Sequence, residues 1–158
     1  MDFDQIYTTY WQRIFRVCMG YVNNHSLAQD LTQETFITVW KQLPKFRGES
    51  NIGTWIFRIA SNTCLRHMEV ERRMQKTSLT FDVKDEKTSS IEPQIQFLYQ
   101  CISELKEIDR IVISLELEEV NQAEIAKIVG LSEVNIRVKI HRIKEKLMQK
   151  FKEHGAQY

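Results

Sequence analysis

Apolar residues recur at three- and four-residue steps over most of the chain, the spacing of one face of an α-helix. Phe3, Ile6, Tyr7, Tyr10, Ile14, Val17 and Tyr21 form one stripe and predict a first helix from about Asp4 to Tyr21. After the turn Asn23-Asn24-His25, Ser26 with Gln29 three residues on has the capping-box spacing and predicts the start of a second helix. Pro44 ends it near Leu43, because the residue before a proline is pushed out of the helical region. Leu31, Phe36, Val39, Trp40 and Leu43 cover its broad apolar side, and Asp30, Gln33, Glu34, Ile37 and Lys41 lie on another. PKFRGESN (44–51) reads as a loop before a third helix, from about Ile52 to Gln75. There Ile52, Ile56, Ile59, Ala60 and Thr63 share a core-facing side.

Periodicity then stops. KTSLTFDVKDEKTSSIE is rich in Thr, Ser and charge and reads as a linker over 76–92. Pro93 suits the first turn of a helix over roughly 93–104, and another spans about 107–117. Asn121 with Glu124 opens a short helix through Val129, Gly130 supplies a left-handed turn, and Ser132 caps a long helix from Glu133 to about Glu153. The expected fold is all-α, with two small helical domains at 1–75 and 93–158 joined by a flexible linker. Neither is large, so each is expected to lean on a partner for full order.

Composition narrows the class. With 42% hydrophobic residues, 5 Gly and 2 Pro, the chain favours long helices over a turn-rich β fold. No stretch approaches the ~20 apolar residues of a membrane-spanning helix. The acidic start MDFDQIYTTYW is unlike a signal peptide, so a cytoplasmic protein without membrane insertion is expected. Cys18, Cys64 and Cys101 are too scattered for a metal clamp and read as reduced, buried thiols.

A net charge of +1 conceals strong segregation. Residues 41–76 hold 8 basic and 3 acidic groups, 82–119 hold 4 and 10, and 127–152 hold 8 and 2. Two basic blocks flank an acidic middle. Exposed helices carry charge of their own accord, but two basic blocks on amphipathic helices suit a polyanion touched at two places.

The C-terminal block has the form of a helix-turn-helix: a short helix, a Gly-containing turn and a longer basic helix. Ile136, Ile140, Ile143 and Leu147 fall on one narrow core face. Val134, Arg137, Val138, His141, Arg142 and Glu145 fall opposite, with Lys139 at the flank. Arg137 and Arg142 can pair bidentately with guanine or clamp phosphate, and Lys139, Lys144 and Lys146 suit the DNA backbone. A solvated bundle face is the competing reading, and His141 reads as a groove-facing polar residue rather than a metal ligand.

On the third helix Trp55, Arg58, Asn62, Arg66 and Glu69 make a stripe beside the core face. An aromatic plate interleaved with guanidinium groups and an amide suits unstacked nucleic acid. Spacing alone leaves Trp55 equally open to being a core plug. In the preceding loop, the small polar residues of Phe46-Arg47-Gly48-Glu49-Ser50-Asn51 could surround an extruded base. Ile37, stranded among Asp30, Gln33, Glu34 and Lys41, resembles the centre of a protein-docking patch. No Gly-rich phosphate loop, HExxH motif or nucleophile elbow occurs, so no catalytic role, cofactor or metal is expected.

DLTQETFITVWKQLPKFRGESNIGTWIFRIASNTCLRH (30–67) strongly resembles region 2 of bacterial RNA polymerase sigma factors of the extracytoplasmic-function (ECF) group, and LSEVNIRVKIHRIKEKL (131–147) resembles their region 4. The resemblance implies an alternative, signal-responsive sigma factor, not an enzyme, that directs promoter recognition, melting and initiation. Asp30, Gln33, Glu34, Ile37 and Lys41 would dock on the clamp of the largest core polymerase subunit. Phe46, Arg47, Gly48, Ser50, Asn51, Trp55, Arg58, Asn62 and Arg66 would recognise and hold open the −10 element. Asn135, Arg137, Val138, Lys139, His141 and Arg142 would read the −35 element, and region 4 would also touch the flap of the second-largest subunit. Control by an anti-sigma factor is implied as well, with association to the nucleoid when active. Where family region 4 has a Gly-Thr pair this chain has Asn135-Ile136, and Val138 replaces a Ser, so the −35 base preference does not transfer.

Overall fold

The computed structural model of the protein describes residues 1–75 and 92–155. Within them the helices are α1 (Phe3–Val22), α2 (His25–Gln42), α3 (Ile52–Gln75), α4 (Pro93–Ser103), α5 (Glu107–Leu117), α6 (Gln122–Val129) and α7 (Glu133–Gly155). A 3₁₀ turn, Leu43–Lys45, follows α2, and the described residues contain no strand. The linker expected at 76–92 lies outside the described residues except for Glu92, as do 156–158.

Local chemistry explains most of the boundaries. Asp2 accepts from the Gln5 amide at 2.9 Å while the Gln5 side chain accepts from the Asp2 amide at 3.0 Å, closing a capping box on α1. Asn23, left-handed at φ 47°, ends that helix by donating to the Met19 carbonyl. The expected cap of α2 is displaced: Asn24, not Ser26, stands in extended backbone and accepts from the Leu27 amide at 2.9 Å. Asn is as good a cap as Ser, and its earlier position lets His25 and Ser26 enter the first turn. Pro93, Asn121 and Gly130 (φ 76°) act as their chemistry requires.

Buried Ile6, Ile14, Val17, Leu31, Phe36, Val39 and Ile56 form the hydrophobic centre of the α1–α3 lobe. Thr32, Thr35 and Thr63 are buried with it, each hydroxyl donating to the carbonyl four residues back, at 2.7, 2.7 and 2.8 Å. Those bonds offset the cost of burying a hydroxyl. Ile111, Leu115, Ile125, Ile136, Ile140, Ile143 and Leu147 fill the α4–α7 lobe, matching the face expected for its long helix.

Two sequence readings need correcting. Trp40, placed on the apolar side of α2, is 62% exposed, while Phe36 and Val39 of the same helix are buried. Helix α1, expected to bury one stripe, is buried on two. Cys18 meets Cys64 of α3, and Gly20 meets Ser114 of α5, where the α4–α7 lobe packs on the first through α1 against α4 and α5, and α3 against α6.

Candidate nucleic-acid and polymerase interfaces

The −10 candidates begin at the loop after α2. The Phe46 amide bonds the Leu43 carbonyl at 3.1 Å, which turns the Phe46 ring back onto Trp55 at 4.8 Å between centroids. Gly48 takes φ 72°, a conformation that disfavours any side chain. Asn51 then ends the loop, its side chain accepting from the Gly53 amide at 2.8 Å and its carbonyl from the Trp55 amide at 3.1 Å. Gly53 sits so close to Tyr10 that a Cβ would stand 3.0 Å from the phenol oxygen, which fixes the start of α3 against α1.

Trp55 is half-buried against Phe46, neither a buried core plug nor a fully exposed plate. Arg58 is half-buried, Asn62 and Arg66 are exposed, and Glu69 at the end of the stripe pairs with Arg73 at 2.9 Å. Arg47, Gly48 and Asn51 are exposed and Ser50 is half-buried. Between α2 and α3 runs a groove of about 620 Å³ whose lining includes Asn62 and Arg66 opposite Lys41. Lys41, assigned by sequence to polymerase, thus borders the −10 stripe too.

On α2, Asp30, Gln33, Glu34, Ile37 and Lys41 are all exposed. Ile37, 54% exposed, joins Trp40, Tyr7 and Phe3 around an open apolar notch of about 450 Å³. Trp40 and Tyr7 are residues that sequence reasoning missed here. The available signal was Ile37, Trp40 and Lys41 at i, i+3 and i+4, which one helix face must present together.

The −35 candidates sit on α7, started by Ser132, whose hydroxyl accepts from the Asn135 amide at 3.1 Å. Asn135, Arg137, Val138, His141 and Arg142 are exposed, and His141 lies 3.3 Å from Glu145. Lys139 is set apart from them, held by Asp109 of α5 at 3.1 Å. Lys144 likewise meets Glu116 at 3.2 Å, and Lys150 meets Glu104 of the α4–α5 turn. The acidic middle of the chain therefore neutralises much of the basic block that follows it.

Among the described residues no group of three or more His, Cys, Asp and Glu is placed to hold a metal ion. The three cysteines are free and buried. The Cys64 thiol donates to Cys18 at 3.8 Å, and that bond, with burial, pushes it well above the ordinary thiol range.

A family model described as sigma-70 region 2 matches residues 6–74, and one described as sigma-70 region 4 matches 96–147. Over 154 residues the chain is 29% identical to RNA polymerase sigma factor YlaC of Bacillus subtilis, covering 91% of this chain and 88% of that one. Against the ECF RNA polymerase sigma-E factor of Haemophilus influenzae it is 26% identical over 164 residues, covering 94% and 86%. The chain belongs to the ECF sigma factors.

The fold agrees. The sigma factor RpoE of Bartonella quintana, solved with the anti-sigma factor NepR, aligns at TM-score 0.82 and 21% identity over 96% of this sigma factor and 97% of that chain. CnrH, solved with the cytosolic domain of CnrY, aligns at TM-score 0.72 and 20% identity over 96% and 88%. The α1–α3 lobe of this sigma factor thus carries region 2, and the α4–α7 lobe carries region 4.

Proposed function

We propose that this sigma factor uses three separate surfaces in initiation: the notch of α2 for core polymerase, the loop and stripe of α3 for the −10 element, and the outer face of α7 for the −35 element. The domain limits on this reading are 1–75 and 93–158, with 76–92 as the connection. The observation that carries it is the placement of guanidinium and amide groups on one helix of each lobe, half-buried Arg58 with exposed Asn62 and Arg66 on α3 and exposed Arg137 and Arg142 on α7, beside an unfilled apolar notch on α2.

The physical division of labour follows from the groups present. An exposed apolar pair, Ile37 and Trp40, ringed by Asp30, Gln33, Glu34 and Lys41, suits a protein surface: apolar contacts supply affinity and the charged rim orients. Phe46 and Trp55, packed on each other, offer stacking area for an unstacked base, and further along α3 a groove lined by Asn62, Arg66 and Lys41 offers an amide edge and cations for phosphates. Arg137 and Arg142 remain extended into solvent on a helix docked as recognition helices are. Melting then draws on captured bases and polymerase contacts, with no chemical step on this chain. The protein acts in the cytoplasm, and an anti-sigma factor restrains it, as the partners named for RpoE and CnrH suggest.

The test is run-off transcription with purified core polymerase. Wild-type protein should give promoter-dependent transcripts, and Trp55→Ala should retain polymerase binding while losing permanganate reactivity of −10 thymines. Full thymine reactivity in the bound variant complex would remove the stacking role.

A further inference from the structure

The outer face of α7 carries two apolar side chains that the lobe's core does not use. Val134 is 63% exposed and Val138 40%, while Ile136, Ile140, Ile143 and Leu147 of the same helix are buried. At 3.6 residues per turn the two valines lie one turn apart, about 40° from each other around the axis and about 6 Å along it. They form the first part of the ridge that faces away from the core. Arg137 and Arg142, both exposed, flank that ridge on its two sides. Further along the same ridge, His141 and Glu145 stand 3.3 Å from each other.

Local propensity argues against valine at either place. A β-branched residue is a poorer helix former than alanine or a straight-chain residue, and an apolar group left in water gains nothing from burial. What valine does supply on a helix is a rigid knob, because one χ1 rotamer dominates. The start of α7 fixes where that knob stands: Gly130 turns the chain at φ 76°, and the Ser132 hydroxyl accepts from the Asn135 amide at 3.1 Å. Val134 therefore lies in the first turn, the part of a recognition helix that meets base edges. The flanking groups indicate the occupant. Two guanidinium groups beside an apolar ridge suit a polyanion with apolar groups set inside it. The major groove of DNA is such a surface, since every thymine presents its 5-methyl there.

We propose that Val134 and Val138 are specificity-determining residues of the −35 face, each packing on the 5-methyl group of a thymine. The inference rests on the functional reading above, in which the outer face of α7 enters the −35 element; it adds which bases are read there and by what contact. Arg137 and Arg142 take guanine edges or phosphates on either side, and the valines select thymine. A cytosine in the same place offers an amino donor, for which a valine has no acceptor. The two thymines should fall within about two base-pair steps of each other, because ~6 Å of helix spans that much of the duplex.

Holoenzyme assembled from core polymerase and the full-length chain tests this on a promoter located by mapping transcript start sites. Deoxyuridine replaces each thymine of the −35 element in turn, which removes the methyl and keeps every hydrogen-bonding edge. Wild-type holoenzyme should bind about fourfold more weakly for each methyl that is read, the scale of one buried methyl group. Val134→Ala should lose a similar factor on thymine DNA and cease to distinguish deoxyuridine at one position. Val138→Ala should do the same at a nearby position. Alanine is the better helix former, so both variants should keep wild-type helicity by circular dichroism. Three results overturn the proposal and leave α7 as the −35 reader: a −35 element without thymine, a wild type indifferent to deoxyuridine throughout, or variants weakened equally on both DNAs. Weaker binding of either variant to core polymerase without DNA assigns the ridge to a protein partner and also overturns it. Full binding to a promoter with a scrambled −35 element removes the functional reading of α7, and the proposal with it.

Discussion

The two basic blocks look alike in composition and differ in what they leave available. On α3 Arg58 is half-buried, while Asn62 and Arg66 are exposed and line a groove. On α7 the lysines are largely committed, Lys139 to Asp109, Lys144 to Glu116 and Lys150 to Glu104. The arginines Arg137 and Arg142 remain on the outer face. A count of charges along the chain therefore overstates the second lobe as a polyanion binder. Its share of promoter binding should rest on few, directed contacts, whereas the first lobe combines charge with aromatic surface.

The largest expected effect lies outside both DNA faces. Ile37→Glu, or Trp40→Glu, places a carboxylate in the apolar notch and should weaken core polymerase binding by at least ~30-fold, the scale of a central interface residue. Retention of the variant by immobilised polymerase would remove the docking role. Within region 2, Trp55→Ala should lower open-complex formation by about tenfold, given ~1–3 kcal/mol per stacked base, with binding to polymerase intact. Within region 4, Arg137→Ala should cost about 1–3 kcal/mol on a promoter with its preferred −35 element. An equal loss on a scrambled −35 element would reassign Arg137 to phosphate.

The contrast between free and committed cations sharpens further with salt. Arg142→Gln should reduce the salt slope of promoter binding by about 0.9, one phosphate's worth, while Lys139→Gln leaves it nearly unchanged. A matching drop for both would mean that Lys139 leaves Asp109 on binding DNA. The smallest effect concerns alkaline stability. Burial raises Tyr21 and Tyr99 above the ordinary phenol range and Cys101 above the thiol range, and the hydrogen bond to Cys18 together with burial raises Cys64. Each is held neutral in the fold, so the stability they confer is complete below their unfolded values of about 8.5 to 10 and declines as the pH climbs past them. Thermal melts should show a falling midpoint from about pH 9 upward, less steep in Tyr21→Phe.

What the chain discloses by itself follows the range of the forces involved. Pro93, Asn121, Gly130 and Ser132 mark their helix ends through contacts within four residues, and those were legible. Ile136, Ile140, Ile143 and Leu147 needed only helical spacing. Gly20 was not legible, because its reason is Ser114, far along the chain on another helix. Lys139 reads as a DNA contact until Asp109 is brought beside it. Trp40 misled for the opposite reason: its hydrophobicity argued for burial, yet it stands exposed on an open notch with Ile37 and Tyr7. The family strings carried the candidate site further than physical pattern did, since Phe46 and Trp55 are separated by a loop whose fold only the structure supplies.

On the proposed function, two faces on two lobes read one promoter for one polymerase. The direct measurement is transcription by core polymerase plus this sigma factor over fragmented genomic DNA, with transcript 5′ ends sequenced. Start sites should share two upstream sequence blocks at a constant separation, with Trp55→Ala reducing initiation at all of them and Arg137→Ala relaxing only the distal block. Start sites no different from those of core polymerase alone, or sharing a single block, would contradict it.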